Sequence, residues 1–155
     1  MAVKKTTVVK KKYWYQILAP KLLGEGVIGE ALGSTPEEMV GRTVSINMAT
    51  ITNEPQTQHI TLKFRITGTS NNNLETALTE YKIMPSALKK LMRKDREKIE
   101  DSFSAATADG KNLTIKLVMI TRHKAQNKVL SALQKQARAF VSKTLSKLSY
   151  DDFLQ

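Results

Sequence analysis

Between His59 and Thr67 the chain alternates without a break. Ile60, Leu62, Phe64 and Ile66 hold one parity; His59, Thr61, Lys63, Arg65 and Thr67 hold the other. A period of two predicts a strand with one face in a core and two cations, Lys63 and Arg65, on the other. Gly68-Thr69-Ser70-Asn71-Asn72-Asn73 follows as a turn cluster, and Leu74 to Ile83 can return as the partner strand of a hairpin. Upstream, Tyr13 to Ala19 is rich in aromatic and β-branched residues and stops at Pro20. Gly24, Gly26, Gly29 and Gly33 then punctuate short extended pieces, and Thr43 to Met48 reads as another strand. Thr35-Pro36-Glu37-Glu38 has the composition of a helix start, but Gly41 limits it to about one turn. Asp109-Gly110 predicts a second hairpin, joining Phe103–Thr107 to Leu113–Thr121, with Leu113, Ile115, Leu117 and Met119 on one face.

A helical period appears twice. Pro85 to Ile99 sets Leu88, Leu91, Met92 and Ile99 along one stripe, with Lys89, Lys90, Arg93, Lys94 and Arg96 mostly off it. Ala125 to Leu148 does the same with Val129, Leu133, Ala137, Phe140, Val141 and Leu148. Strands, helix, strands, helix, joined by hairpin-length connections, give an α+β fold with an antiparallel sheet and two main amphipathic helices. Whether the sheet curls into a small barrel is left open by periodicity. The expected organisation is a flexible basic arm over residues 1–12 and a single α+β domain over residues 13–155.

Composition narrows the picture. A chain of 155 residues with 41% apolar and 25% charged residues can bury one core. Cysteine is absent, which removes disulfides and thiolate metal sites and suits a reducing, cytoplasmic compartment. No apolar run reaches the roughly 20 residues of a membrane span. Neither basic segment carries the long aromatic-aliphatic face of a membrane-surface helix, so no membrane partner is expected.

Charge changes the picture most. Net charge is +11, and it is sorted. Residues 1–21 hold six lysines (Lys4, Lys5, Lys10, Lys11, Lys12 and Lys21) and no acid; residues 111–147 hold nine Lys and Arg and again no acid. Residues 22–110 carry ten basic and twelve acidic side chains. Charge concentrated in this way favours a polyanion.

Enzyme chemistry finds little support. Gly24-x-Gly26-x-x-Gly29 matches a dinucleotide-binding pattern in letters, but Val27-Ile28 followed by Gly33 does not open a helix, and Glu25 and Glu30 would repel phosphate. Turn glycines are the better account. His59 reads as an exposed strand residue, and without cysteine a zinc site would lack support. No serine sits in a Gly-x-Ser-x-Gly elbow, and Glu37-Glu38 and Asp151-Asp152 read as solvated acids. Neither a cofactor nor a catalytic residue is expected.

Nucleic-acid chemistry is denser. Lys10-Lys11-Lys12 runs directly into Tyr13-Trp14-Tyr15, setting cations for phosphates beside π-faces for bases. For Tyr13 and Tyr15, on one face, packing and RNA contact remain equal alternatives; Trp14, on the other, reads as core. Arg93-Lys94-x-Arg96-x-Lys98 forms a second basic cluster, equally suited to the C-terminal dipole of a helix. Arg122-His123-Lys124, followed by Asn127 and Lys128, forms an acid-free loop suited to gripping phosphate. Arg42, Lys63, Arg65, Lys111 and Lys135 complete the candidate RNA-binding set. A DNA-compacting chromatin protein would share the charge, though it has no need of aromatic residues next to the lysines.

The order of these segments resembles a family. Lys12-Tyr13-Trp14-Tyr15-Gln16-Ile17-Leu18-Ala19-Pro20 is similar to the opening signature of the archaeal and eukaryotic small-subunit ribosomal protein eS1 (S3Ae) family. Val40-Gly41-Arg42-Thr43-Val44, the Ile60–Ile66 strand, the Arg93–Lys98 cluster, Asp109-Gly110-Lys111-x-Leu113, Ile120-Thr121-Arg122-x-Lys124 and the acidic-aromatic Leu148–Leu154 segment follow in the family's order. Members usually continue into a further helix and a basic tail. The resemblance implies a structural constituent of the small ribosomal subunit, of archaeal type and cytoplasmic. It implies rRNA binding on the platform near the mRNA exit, with platform proteins, and mRNA at the exit, as further partners.

Overall fold

The structure is a computed structural model describing residues 11–24 and 26–150. The arm residues Lys4, Lys5 and Lys10 lie outside the described residues, as do Asp151 and Asp152. The chain forms two compact units, Met1–Ser86 and Ala87–Gln155.

The first unit is built on a five-stranded sheet in the order β2-β1-β5-β4-β3. Its strands are β1 Tyr13–Leu18, β2 Val27–Gly33, β3 Thr43–Asn47, β4 Ile60–Ser70 and β5 Asn73–Ile83. Three of the neighbouring pairs are antiparallel, and β1 meets β5 in parallel at Ile17↔Leu74. The sheet is open, ending at β2 and β3, not closed into a barrel.

The alternation read in β4 is the core. Ile60, Leu62 and Phe64 are buried against Leu23, Ile28, Ile46, Met48, Ile51 and Leu78. Ile66 joins Tyr15, Ile17, Met39 and Leu74 in an adjoining cluster. The turn is tighter than the cluster Gly68–Asn73 suggests. β4 runs on through Gly68 to Ser70, leaving Asn71-Asn72 as a two-residue connection with φ of 46° and 70°. Asparagine tolerates this left-handed pair, and a turn of that hand matches the twist of the strands it joins. A helical turn at Pro36–Met39 delivers Met39, fully buried, under the sheet. A five-residue helix, α1 (Met48–Thr52), is capped by Asn47, whose side chain accepts from the Ala49 amide at 3.0 Å. Buried Thr76 donates to the Leu18 carbonyl at 2.7 Å, reinforcing the β1–β5 seam.

A short helix, α2 (Pro85–Leu91), follows. The helix expected over Pro85–Ile99 therefore stops early. Residues 93–97 are all charged and offer no apolar group to the stripe. Lys98 instead opens β6 (Lys98–Ala106), in which Ile99 is buried as a strand residue. β6 pairs antiparallel with β7 (Asn112–Ile120) around the Asp109-Gly110 turn, where Gly110 has φ 73°. Thr121 closes the other end, its hydroxyl accepting from the Glu97 amide at 2.8 Å.

The long helix α3 (Asn127–Leu145) packs on β6 through only part of the expected stripe. Leu130, Gln134, Ala137, Val141 and Leu145 are the covered positions, Leu145 almost completely. Val129, Leu133 and Phe140 are exposed, Phe140 by 72%. Two apolar stripes lie side by side on this helix. A polar bond chooses between them: Arg138 donates to both oxygens of buried Asp101 on β6, at 2.8 and 2.5 Å.

Candidate nucleic-acid interface

In the first unit, Lys11 and Lys12 lead into β1 exposed, and the Lys11 ammonium lies 5.9 Å from the Tyr13 ring centroid. β1 then divides its aromatics between two faces. Tyr15 is a core residue, 6% exposed, its hydroxyl reaching the Ser34 carbonyl at 3.4 Å. That placement leaves its ring no surface on which to stack a base. Tyr13 is half exposed. Trp14, read from sequence as core, is 67% exposed and points to the opposite side of the sheet. The reading fails because the buried positions in and just after β1 are Tyr15, Ile17 and Ala19, one parity, which leaves Trp14 on the other.

Arg42 and Arg65 lie exposed near the β3 end of the sheet, where Thr43 pairs with Arg65. Lys63 is partly engaged by Glu80 across the β4–β5 ladder at 3.8 Å. Lys21 is exposed in a helical turn, Lys21–Leu23, closed by Gly24 at φ 93°. After Gly26 the chain becomes β2, not a helix, so the glycine pattern lacks the helix N-terminus that a nucleotide phosphate site requires.

In the second unit, Arg93 and Lys94 are exposed in the segment between α2 and β6. Arg96 bends back to donate to the Leu91 carbonyl at 3.3 Å, at the C-terminal end of α2. Lys98 is paired with Glu100. The Lys111 ammonium sits 4.5 Å from the Tyr150 ring centroid. Arg122, His123 and Lys124 project from the loop between β7 and α3, all exposed and without an acid nearby in sequence. Immediately beyond, Asn127, Lys128, Ser131, Ala132 and Lys135 line an open concavity of about 440 Å³ on α3. Lys128 and Lys135 stand seven residues apart, two turns along one face. Ser131 and Ala132 were not legible as members, because nothing in their own chemistry marks them; their neighbours on the helix do.

Arg138 behaves differently from the other cations of this acid-free run. Its hydrogen bonds hold the Asp101 carboxyl below the usual carboxylate range, while burial pushes the other way and Gln134 adds to the lowering. The same bonds raise the guanidinium. Its guanidinium also lies over Phe103, with Cζ 5.3 Å from the ring centroid. One positive charge of the run is thus spent inside the fold. The other cations of the run are exposed, and among the described residues no group of three or more His, Asp and Glu could hold a metal ion.

The model of the Ribosomal S3Ae family matches residues 2–155. The chain belongs to that family. Within the S3Ae relatives, small ribosomal subunit protein eS1 of Nanoarchaeum equitans is 32% identical over 145 residues, covering 94% of this chain and 73% of its own length. The eS1 proteins of Thermoplasma acidophilum and Saccharolobus solfataricus are each 31% identical, with 94% of this chain covered and 68% and 70% of theirs. These S3Ae relatives are archaeal, and the chain is of archaeal type. S3Ae proteins are ribosomal components, and this member is not an enzyme.

Proposed function

We propose that this protein is a structural constituent of the small ribosomal subunit. In this reading it holds rRNA on the platform near the mRNA exit and supports translation in the cytoplasm. Its S3Ae membership and the eS1 names of its relatives support the subunit. The observation that carries rRNA binding is the exposed segment, free of acids in sequence, that runs from Arg122-His123-Lys124 into Asn127, Lys128 and Lys135 on α3. A second basic surface, Lys11 and Lys12, precedes β1. Such surfaces bind by releasing counterions from phosphates while a rigid core sets the register. Neighbouring platform proteins, and mRNA at the exit, are the further partners of this reading.

With ~6–10 phosphate contacts, affinity for naked rRNA falls ~10³–10⁵-fold between about 50 and 200 mM salt. A filter-binding titration measures that slope, and a flat response overturns the electrostatic account. Duplex DNA bound as tightly as rRNA in the same titration would favour a chromatin role instead.

A further inference from the structure

Trp14 lies mid-strand on a sheet face, 67% open to water. Tryptophan is among the most buried side chains on average, so this exposure asks for an occupant. Directly across the β1–β2 ladder stands Leu32, itself 40% exposed. The next pair on the same face is Gln16↔Glu30, polar and exposed. The apolar step is therefore small, an indole beside one leucine, matching the area of a single aromatic ring rather than a protein interface. The charge beside it favours an anion: Lys12 lies two residues from Trp14, the spacing that shares a face in extended chain, whereas Lys11 adjoins Tyr13 on the other face. A flat π-surface with ammonium groups next to it is how proteins hold single-stranded nucleic acid, bases on the ring and phosphates on the cations. A duplex keeps its base faces covered.

We propose that Trp14, flanked by Leu32, stacks one unpaired nucleobase of RNA whose adjoining phosphate is held by Lys12. This rests on the rRNA-binding reading and adds to it the state of the RNA and the residue that senses it.

Trp14 is the chain's one tryptophan, so its fluorescence reports the site directly. The whole protein is titrated with a single-stranded ten-nucleotide oligoadenylate and with a blunt RNA duplex of equal length. The single strand quenches Trp14; the duplex binds with little change in emission. Trp14→Ala weakens single-strand binding ~5- to 100-fold, leaves duplex binding and the melting temperature unchanged, and Trp14→Phe restores most of the loss. Single-strand binding without quenching, or with equal affinity in Trp14→Ala, overturns the stacking role while leaving rRNA binding intact. If neither RNA binds at low salt, the rRNA-binding reading itself fails, and the stacking role with it. Quenching that appears only on incorporation into small subunits, and not with RNA alone, assigns Trp14 to a protein neighbour and overturns the proposal.

Discussion

Asp101 is buried on β6 and held by a two-pronged bond from Arg138. Removing either partner has unequal consequences, because an unpaired buried carboxylate costs more than an unpaired arginine whose head already reaches water. Arg138→Met is therefore expected to lower the melting temperature more than Asp101→Asn, measured by thermal unfolding at pH 7. The pH dependence has a definite sign. Asp101 titrates lower in the folded than in the unfolded chain, so its contribution is complete above about pH 4 and disappears as pH falls through the folded value. Asp101→Asn should lower stability near neutrality, where that contribution is complete, and approach the native chain as pH falls through that window, so that the acid side of the stability curve is flatter. An unaltered acid transition would remove the ion pair from the account of stability. At the β4–β5 turn, Asn72→Val places a β-branched residue at φ 70°, and a loss of about 1–2 kcal/mol in urea unfolding is expected, whereas Asn72→Gly costs nothing.

At the scale of elements, β4, β5, β7 and the Asp109-Gly110 hairpin were legible because their burial follows a period of two in apolar side chains. β6 was half legible. Its covered positions are Ile99, Asp101, Phe103 and Ala105, and a carboxylate in that series disguises the alternation. Its partner is 37 residues away, where no local pattern reaches. The apolar residues Leu88, Leu91, Met92 and Ile99 then fit a helical stripe better than anything else, and the helix was drawn too long. α3 is legible, but its covered face is turned from the expected stripe: Ala137 and Val141 are shared, whereas Leu130 and Leu145 are covered in place of the equally apolar Val129, Leu133 and Phe140. The two faces predict unequal mutational costs. Leu145→Ala should cost ~2–4 kcal/mol through lost burial and a cavity, whereas Phe140→Ala should stay within ~0.5 kcal/mol. Denaturant unfolding of the two variants tests the assignment, and equal losses would reverse the reading of the helix.

For the whole molecule, the basic segments legible from charge alone divide once geometry is known. Arg138, Lys98 and Arg96 are engaged within the fold, and Lys63 partly so, while Lys11, Lys12, Arg122 and Lys124 are exposed cations. Charge reversal at those four together is expected to block incorporation into small subunits, followed by co-sedimentation after a high-salt wash, with the melting temperature retained. Normal incorporation would show that these cations are solvated and no more. The platform location and neighbours proposed above lie beyond any residue pattern and rest on the family resemblance alone. The β1–β5 seam carries a consequence for synthesis. Leu18 and Thr76, which bond across it, are 58 residues apart, and β1 pairs with β5 at a single position. Closing so long a loop is slow compared with zipping the β4–β5 hairpin through its two-residue turn. The first of the described strands to leave the ribosome can pair early with β2 but is thus late to dock on β5. Until Leu74 has been made, a nascent copy of this protein holds its basic, aromatic β1 beside the very kind of particle it is built to join.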